Sequence, residues 1–427
     1  MAISVNNRLL CKHPIAVSSC RRGFAVSSVL PPKTPELSPE GRLLLMIARD
    51  RHREADRGLL AEAARNVENW PLVIQRASEH FILPLAFRAL SRLSPTAAPL
   101  AVLKELKRRM KPVIMHSLKF AAEQRYFSEA ILRPCQIRHV FIKGQALAGA
   151  YYQAPGERYC RDVDLLVDRS SLVRVAELAQ TKGYTVFPNR RVLSHRDLIA
   201  AARFYPVICL LGPNNILLEV HSKLDKINLV FDTCGLLDDA EERVIHGSPL
   251  SVLPLAEHFV FVCVHSTRHL LSHLNWLVDM DAMVQHDAFD ESKVLEFADR
   301  CGVHSTVEAC LELYRGCSQS ILDRAKLSTG ARNLFDTLVT HVEEGPKIEY
   351  SLRKNRPFPD FSFDWQATPE YKRKARIKTR FSFLKPTFKD YEAFPLPGSL
   401  HWVYYFTRPF SAALRRGEAA DSDSLER

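Results

Sequence analysis

The sequence has no uninterrupted apolar run of about 18 residues, the length a bilayer-spanning helix needs, and its most apolar stretches carry Arg268, His269 or Arg408. No transmembrane span is expected. None of the ten cysteines forms a Cys-x-x-Cys pair, so reduced thiols in a cytoplasmic protein are expected, and neither a disulfide framework nor zinc-finger chemistry is supported. Acids are missing altogether from Met1 to Pro35, where Arg8, Lys12, Arg21, Arg22 and Lys33 stand. That leader is read as a disordered tail or a start codon placed too early, with a targeting peptide as the alternative.

With 427 residues, 46% hydrophobic and 25% charged, the chain can build a large core in roughly two to four domains. The formal charge of +11 permits an anionic partner without requiring one.

Two carboxylates stand out. In the apolar stretch Asp162 to Val167 a strand would turn Val163, Leu165 and Val167 to one face and Asp162 with Asp164 to the other. Neighbouring like charges repel, and a divalent cation such as Mg²⁺ or Mn²⁺ removes the conflict. By the same argument, Asp164→Asn is expected to raise metal-free stability. Upstream, Phe141 and Ile142 read as a strand end, Lys143-Gly144 as a turn and Gln145 to Tyr152 as a helix. Strand, glycine turn, helix and then Asp-x-Asp strand suits a triphosphate: backbone N–H groups approach it at Gly144, Lys143 neutralises it and the carboxylates hold its metal. A third carboxylate, Glu219, lies in Ile216 to His221. There Leu217, Glu219 and His221 share a face, and the turn Gly212-Pro213-Asn214-Asn215 makes this segment the second arm of a hairpin.

The sequence Phe-Ile-Lys143-Gly144, then Arg158-x-x-x-Asp162-Val-Asp164-Leu-Leu-Val, then Leu-Glu219-Val-His221 resembles the polymerase-beta-like nucleotidyltransferase superfamily, within it a bacterial branch of uncharacterised nucleotidyltransferases. The resemblance extends to residues 69–93 and to His265, His269, Trp276, Leu277 and Asp279. It implies an α/β (α+β) fold with a small mixed-sheet core flanked by N- and C-terminal helical domains. It also implies a metal triad of Asp162, Asp164 and Glu219, with Lys143, Gly144, Gln145, Arg158 and Arg161 around the nucleotide. Of the two arginines it favours Arg158 as the phosphate contact, and it puts Asp279 near the cleft. The superfamily's usual Gly-Ser or Gly-Gly is Gly144-Gln145 here.

The expected organisation is a basic leader (1–38), a helical domain (39–136), the nucleotidyltransferase core (137–250), a second helical domain (251–344), and an extended aromatic and basic wrap with a tail (345–427). His258, His265, His269 and His273 fall on one stripe of a single predicted helix. Three histidines spaced over about 12 Å of a straight helix are too far apart for one ion, so this stripe reads as a polar face overlooking the cleft. Lys104 to Lys111 reads as a solvated helix face. The basic stretch Lys372 to Arg380 reads likewise, with RNA or a polyanionic glycan as the alternative. The aromatic residues after Phe394 are expected to dock on the body or touch a membrane surface peripherally, and Glu418 to Arg427 to be disordered.

The expected function is metal-dependent transfer of a nucleoside monophosphate from an NTP to a hydroxyl acceptor. That acceptor, a small molecule, glycan, protein or RNA, is not specified by the sequence, and neither is the oligomeric state. Two alternatives stand beside it: a toxin-like transferase acting on tRNA, and a catalytically degenerate NTP-binding or scaffold protein, the latter suggested by Gln145.

Overall fold

A computed structural model describes residues 36–49, 57–94, 97–318, 324–381 and 384–408. The expectations for Met1–Pro35 and Glu418–Arg427 lie outside them. The described residues open with five helices: α1 (Pro39–Ile47), α2 (Arg57–Arg65), α3 (Trp70–Glu79), α4 (Leu83–Ser91) and α5 (Leu100–Phe127). Local chemistry sets their starts. Ser38 accepts the Gly41 N–H ahead of Pro39, and Asn69 accepts the Leu72 N–H ahead of Pro71, so each cap satisfies an orphan donor just before a proline that needs none. Helix α5 gives way to one π turn over Ser128–Leu132.

The core follows as β1 (His139–Phe141), α6 (Gln145–Tyr151), β2 (Asp162–Val167), α7 (Leu172–Thr181), β3 (Thr185–Val186), α8 (His195–Phe204), β4 (Val207–Leu211) and β5 (Leu217–His221). Helix α7 ends at Gly183, whose φ of 85° suits the left-handed cap position. Ser171 stands at its N-cap but makes no side-chain cap bond. After α9 (Thr233–Asp238) comes a hairpin of β6 (Glu241–Ile245) and β7 (Ser248–Val252) that the sequence reading missed. Its signal was His246-Gly247, both at positive φ, ahead of the short alternation Ser248 to Val252.

The seven strands among the described residues form one mixed sheet, ordered β3-β4-β5-β2-β1-β7-β6. Val163, Leu165 and Val167 share an apolar cluster with Leu218 and Val220, with Leu172, Val175 and Ala176 of α7, and with Leu198 of α8. Leu166 points the opposite way, into a second cluster built from the N-terminal helices together with α10 (Leu255–Arg268), α11 (Asn275–Val284), α12 (Glu291–Arg300), α13 (His304–Ser318) and α14 (Thr329–Glu344). The alternation of β2 therefore aims Asp162 and Asp164 at the side where α10 lies.

The remainder docks back on both clusters through α15 (Glu349–Arg353), α16 (Pro369–Arg380) and α17 (Phe388–Ala393). Asp360, fully buried, accepts the N–H groups of Lys226 and Ile227 and the Tyr371 hydroxyl. Phe388, Tyr391 and Tyr404 join the α7–α8 cluster. No helix among the described residues is long and apolar enough to cross a membrane.

The β4–β5 hairpin is tied to α5 by one buried side chain. Glu123, 3% exposed, accepts the Tyr184 hydroxyl and the Asn214 amide, the latter within the turn that feeds Glu219. Glu123→Ala would leave the Tyr184 hydroxyl without that acceptor. Urea denaturation should show a loss of about 1–3 kcal/mol, whereas an unchanged midpoint would mean that α5 does not hold the hairpin.

Candidate active site

Strands β2 and β5 run parallel with Asp162 opposite Leu217 and Asp164 opposite Glu219. Residues in register across neighbouring strands project to the same face, so the third carboxylate arrives beside the second. Carboxylate oxygens of Asp164 and Glu219 and a ring nitrogen of His221 lie within 4.8 Å of one another. Asp162 lies on the same face but is not one of that trio. His221 was legible as a neighbour of Glu219 on one strand face, yet the sequence reading gave it no task.

Two cations sit among these acids. Lys143 Nζ is 2.8 Å from Asp164 Oδ1, and His221 Nε2 is 3.2 Å from Asp164 Oδ1 and 3.4 Å from Glu219 Oε2. Burial opposes ionisation of Asp164, but Lys143 and then His221 overcome it and hold this carboxyl below its usual range. Asp162 moves the opposite way: burial, then the Asp164 charge, raises it. For His221, burial disfavours the cation, but hydrogen bonds to Asp164 and Glu219 win and lift it to about 9. Asp164 is 1% exposed, and its Oδ2 is buried without a hydrogen-bond partner.

The turn is built as expected. Lys143 follows the end of β1, and Gly144 takes φ 63°, where a Cβ would stand 3.4 Å from the Asp162 carbonyl. Glycine meets both the left-handed backbone and the close approach to β2. Gln145 has a different task from the ligand contact expected of it. It is 2% exposed, and its amide donates to the Arg158 carbonyl and the Cys160 sulfur. Ser117 also donates to the Arg158 carbonyl, and His116 to that of Cys160, so the segment entering β2 is braced from α5 and α6.

Arg158 also departs from expectation. Its Nε and Nη2 form a two-point pair with Asp279 at 2.8 and 2.9 Å, with both residues buried, and the Tyr152 hydroxyl donates to the same carboxylate. Desolvation is tolerable for this guanidinium only because of that carboxylate, which makes the pair a fastening between the β2 approach and α11. Arg161 is the exposed arginine beside Asp162. The histidine stripe is not one helix face either. Helix α10 stops at Arg268, His269 caps it, and Leu270 and Leu271 at positive φ turn the chain before His273.

The family described as uncharacterised nucleotidyltransferase matches residues 66–317, well over half of the chain. The chain belongs to this family. No curated protein matches it. Membership makes the protein an enzyme of nucleotidyl transfer, and the match reaches from the N-terminal helices through both strands that carry the acids to α13.

Arg158→Met should lower stability by about 3–5 kcal/mol by stranding the Asp279 charge, and adding Asp279→Leu should recover much of it. Unchanged melting with weakened nucleotide binding would instead make Arg158 a substrate contact.

Proposed function

We propose that this nucleotidyltransferase moves a nucleoside monophosphate from an NTP to a hydroxyl acceptor and releases pyrophosphate. The observation that carries this reading is the register of Asp164 with Glu219, on one sheet face with Asp162 and beside Lys143. The donor set fits a divalent ion: carboxylates dominate it, and the buried Asp164 Oδ2 takes no hydrogen bond, an acceptor that a cation would satisfy. Asp162, Asp164 and Glu219 would hold Mg²⁺ or Mn²⁺, which when bound neutralises triphosphate charge and lowers the pKa of a nearby hydroxyl.

The chain's own groups do the rest. Lys143 and the N–H of Gly144 hold the triphosphate, and exposed Arg161 supplies a further charge beside it. Glu219 takes the proton of the acceptor hydroxyl. The acceptor oxygen then forms its bond to the α-phosphorus as the bond from that phosphorus to the leaving pyrophosphate breaks in line. His221, protonated between Asp164 and Glu219, fixes the orientation of both carboxylates. The described cysteines are free thiols, which supports a reducing, cytoplasmic setting. Transfer of label from α-labelled NTPs to fractions of a cell extract, with Mg²⁺ or Mn²⁺, tests the reading and reports the acceptor. NTP binding without transfer would favour a non-catalytic protein, and growth arrest on expression a tRNA-directed one.

The electrostatics revise one expectation. Asp164→Asn removes the partner of Lys143 and His221 and should lower metal-free stability by about 1–3 kcal/mol. Asp162→Asn relieves the like-charge conflict and should leave stability within about 0.5 kcal/mol or raise it. Both should reduce transfer at least about a hundredfold. Thermal melts beside the label assay read both signs, and transfer surviving in either variant would sink the metal assignment.

A further inference from the structure

We propose that a wall of rings beside the carboxylates, formed by Phe81, Tyr159, His265, His269, His273 and Trp276, is the seat of the NTP's nucleobase. This inference rests on the nucleotidyl-transfer reading and adds where the base lies. The rings are contiguous. Tyr159 stacks on Phe81 at 4.9 Å between centroids, and Phe81 on His273 at 4.7 Å with 9° between planes. His273 meets Trp276 at 5.3 Å, and Trp276 meets His269 and His265 at 5.5 and 5.9 Å. All six are partly exposed.

The wall lies against both sides of the phosphate site. Tyr159 and Arg161 lead directly into Asp162, and the Arg161 guanidinium is 5.1 Å from the Phe81 ring centroid. On the other side His258 donates to the Ile142 carbonyl at 2.8 Å, one residue before Lys143, and His265 follows two turns later on the same helix stripe. Burial favours the neutral form of these imidazoles. Burial lowers His265 well below its usual value, helped by Lys143, and takes His269 to about 4 and His273 to about 3. The ring surface is bordered by Lys143 and Arg161 at the carboxylate end and by the Glu349–Arg353 ion pair behind His269, and it complements a ligand with a flat uncharged ring at one end and a polyanion at the other. A nucleoside triphosphate has that form.

Strained backbone is found at the wall and just beside it. Phe81 has φ 62°, and Leu270 and Leu271 have φ 57° and 50°, a region that bulky residues occupy only at a cost. Phe81 holds the position after α3 where glycine would be easier, and its ring goes into the wall. The two leucines make the reversal that brings His269 and His273 to the same indole. Stacking of this kind tolerates any base, because every base has a π face.

The test measures dissociation constants of ATP, GTP, CTP and UTP, and separately of inorganic tripolyphosphate, all with Mg²⁺. Wild type, Trp276→Ala, Trp276→Phe and Phe81→Gly are compared. Trp276→Ala should weaken the tightest NTP about tenfold or more while leaving tripolyphosphate within about twofold, and Trp276→Phe should regain most of the loss. Phe81→Gly removes a ring yet places glycine where φ is positive, so it should stay folded in thermal melts and still lose NTP affinity. Unchanged NTP affinity in both ring-removing variants would overturn the inference and leave nucleotidyl transfer standing, as would equal losses for NTP and tripolyphosphate. A wild type that binds no NTP and transfers no label would overturn the transfer reading and the inference with it.

Discussion

Everything at the site depends on keeping several acids together on one face of a parallel strand pair. Register between β2 and β5 brings Asp164 and Glu219 side by side, and nothing in an apolar sheet would tolerate that without positive charge close by. Lys143 and His221 provide it. Asp164 carries most of the compensation, through Lys143 at 2.8 Å and His221 at 3.2 Å, and Asp162 is left in conflict with it. The two aspartates are thus unequal in their electrostatics although they are two residues apart on one strand.

The rest of the fold serves that confinement. Gln145, Ser117 and His116 hold the segment entering β2, Arg158 and Asp279 clamp it to α11, and Glu123 fixes the turn of the hairpin that carries Glu219. Asp360 of the returning C-terminal segment closes over the loop that leaves β5. Each tie is a buried polar contact, costly to leave half made, so the site is anchored from α5, α6, α11 and the C-terminal segment.

Much of this was legible because it rests on local rules. Alternation placed Asp162 and Asp164 opposite Val163 and Leu165, the Gly212–Asn215 turn gave the hairpin, and Gly144 gave the phosphate turn. What was not legible depends on long-range pairing. The partner of Arg158 lies 121 residues away, so a charge near Asp-x-Asp looked like a phosphate contact. Gln145 looked like a departure from a loop motif until its neighbours at Arg158 and Cys160 were in place. The histidine repeat at four imitated a helix stripe because its interruption uses two leucines in a backbone region that leucine rarely enters. The stability effect expected of Asp164→Asn changed sign for the same reason: the sequence puts the acids side by side, with His221 on the face of Glu219, but does not show that Lys143 and His221 both pair with Asp164.

The proposed function turns on whether these carboxylates hold a catalytic cation. Anomalous diffraction from crystals grown with Mn²⁺ and a non-hydrolysable NTP analogue tests it most directly. Anomalous density is expected within about 2.2 Å of oxygens from Asp164 and Glu219, with Asp162 ligating this ion or a second one. Density at another site, or none with the nucleotide bound, would contradict it.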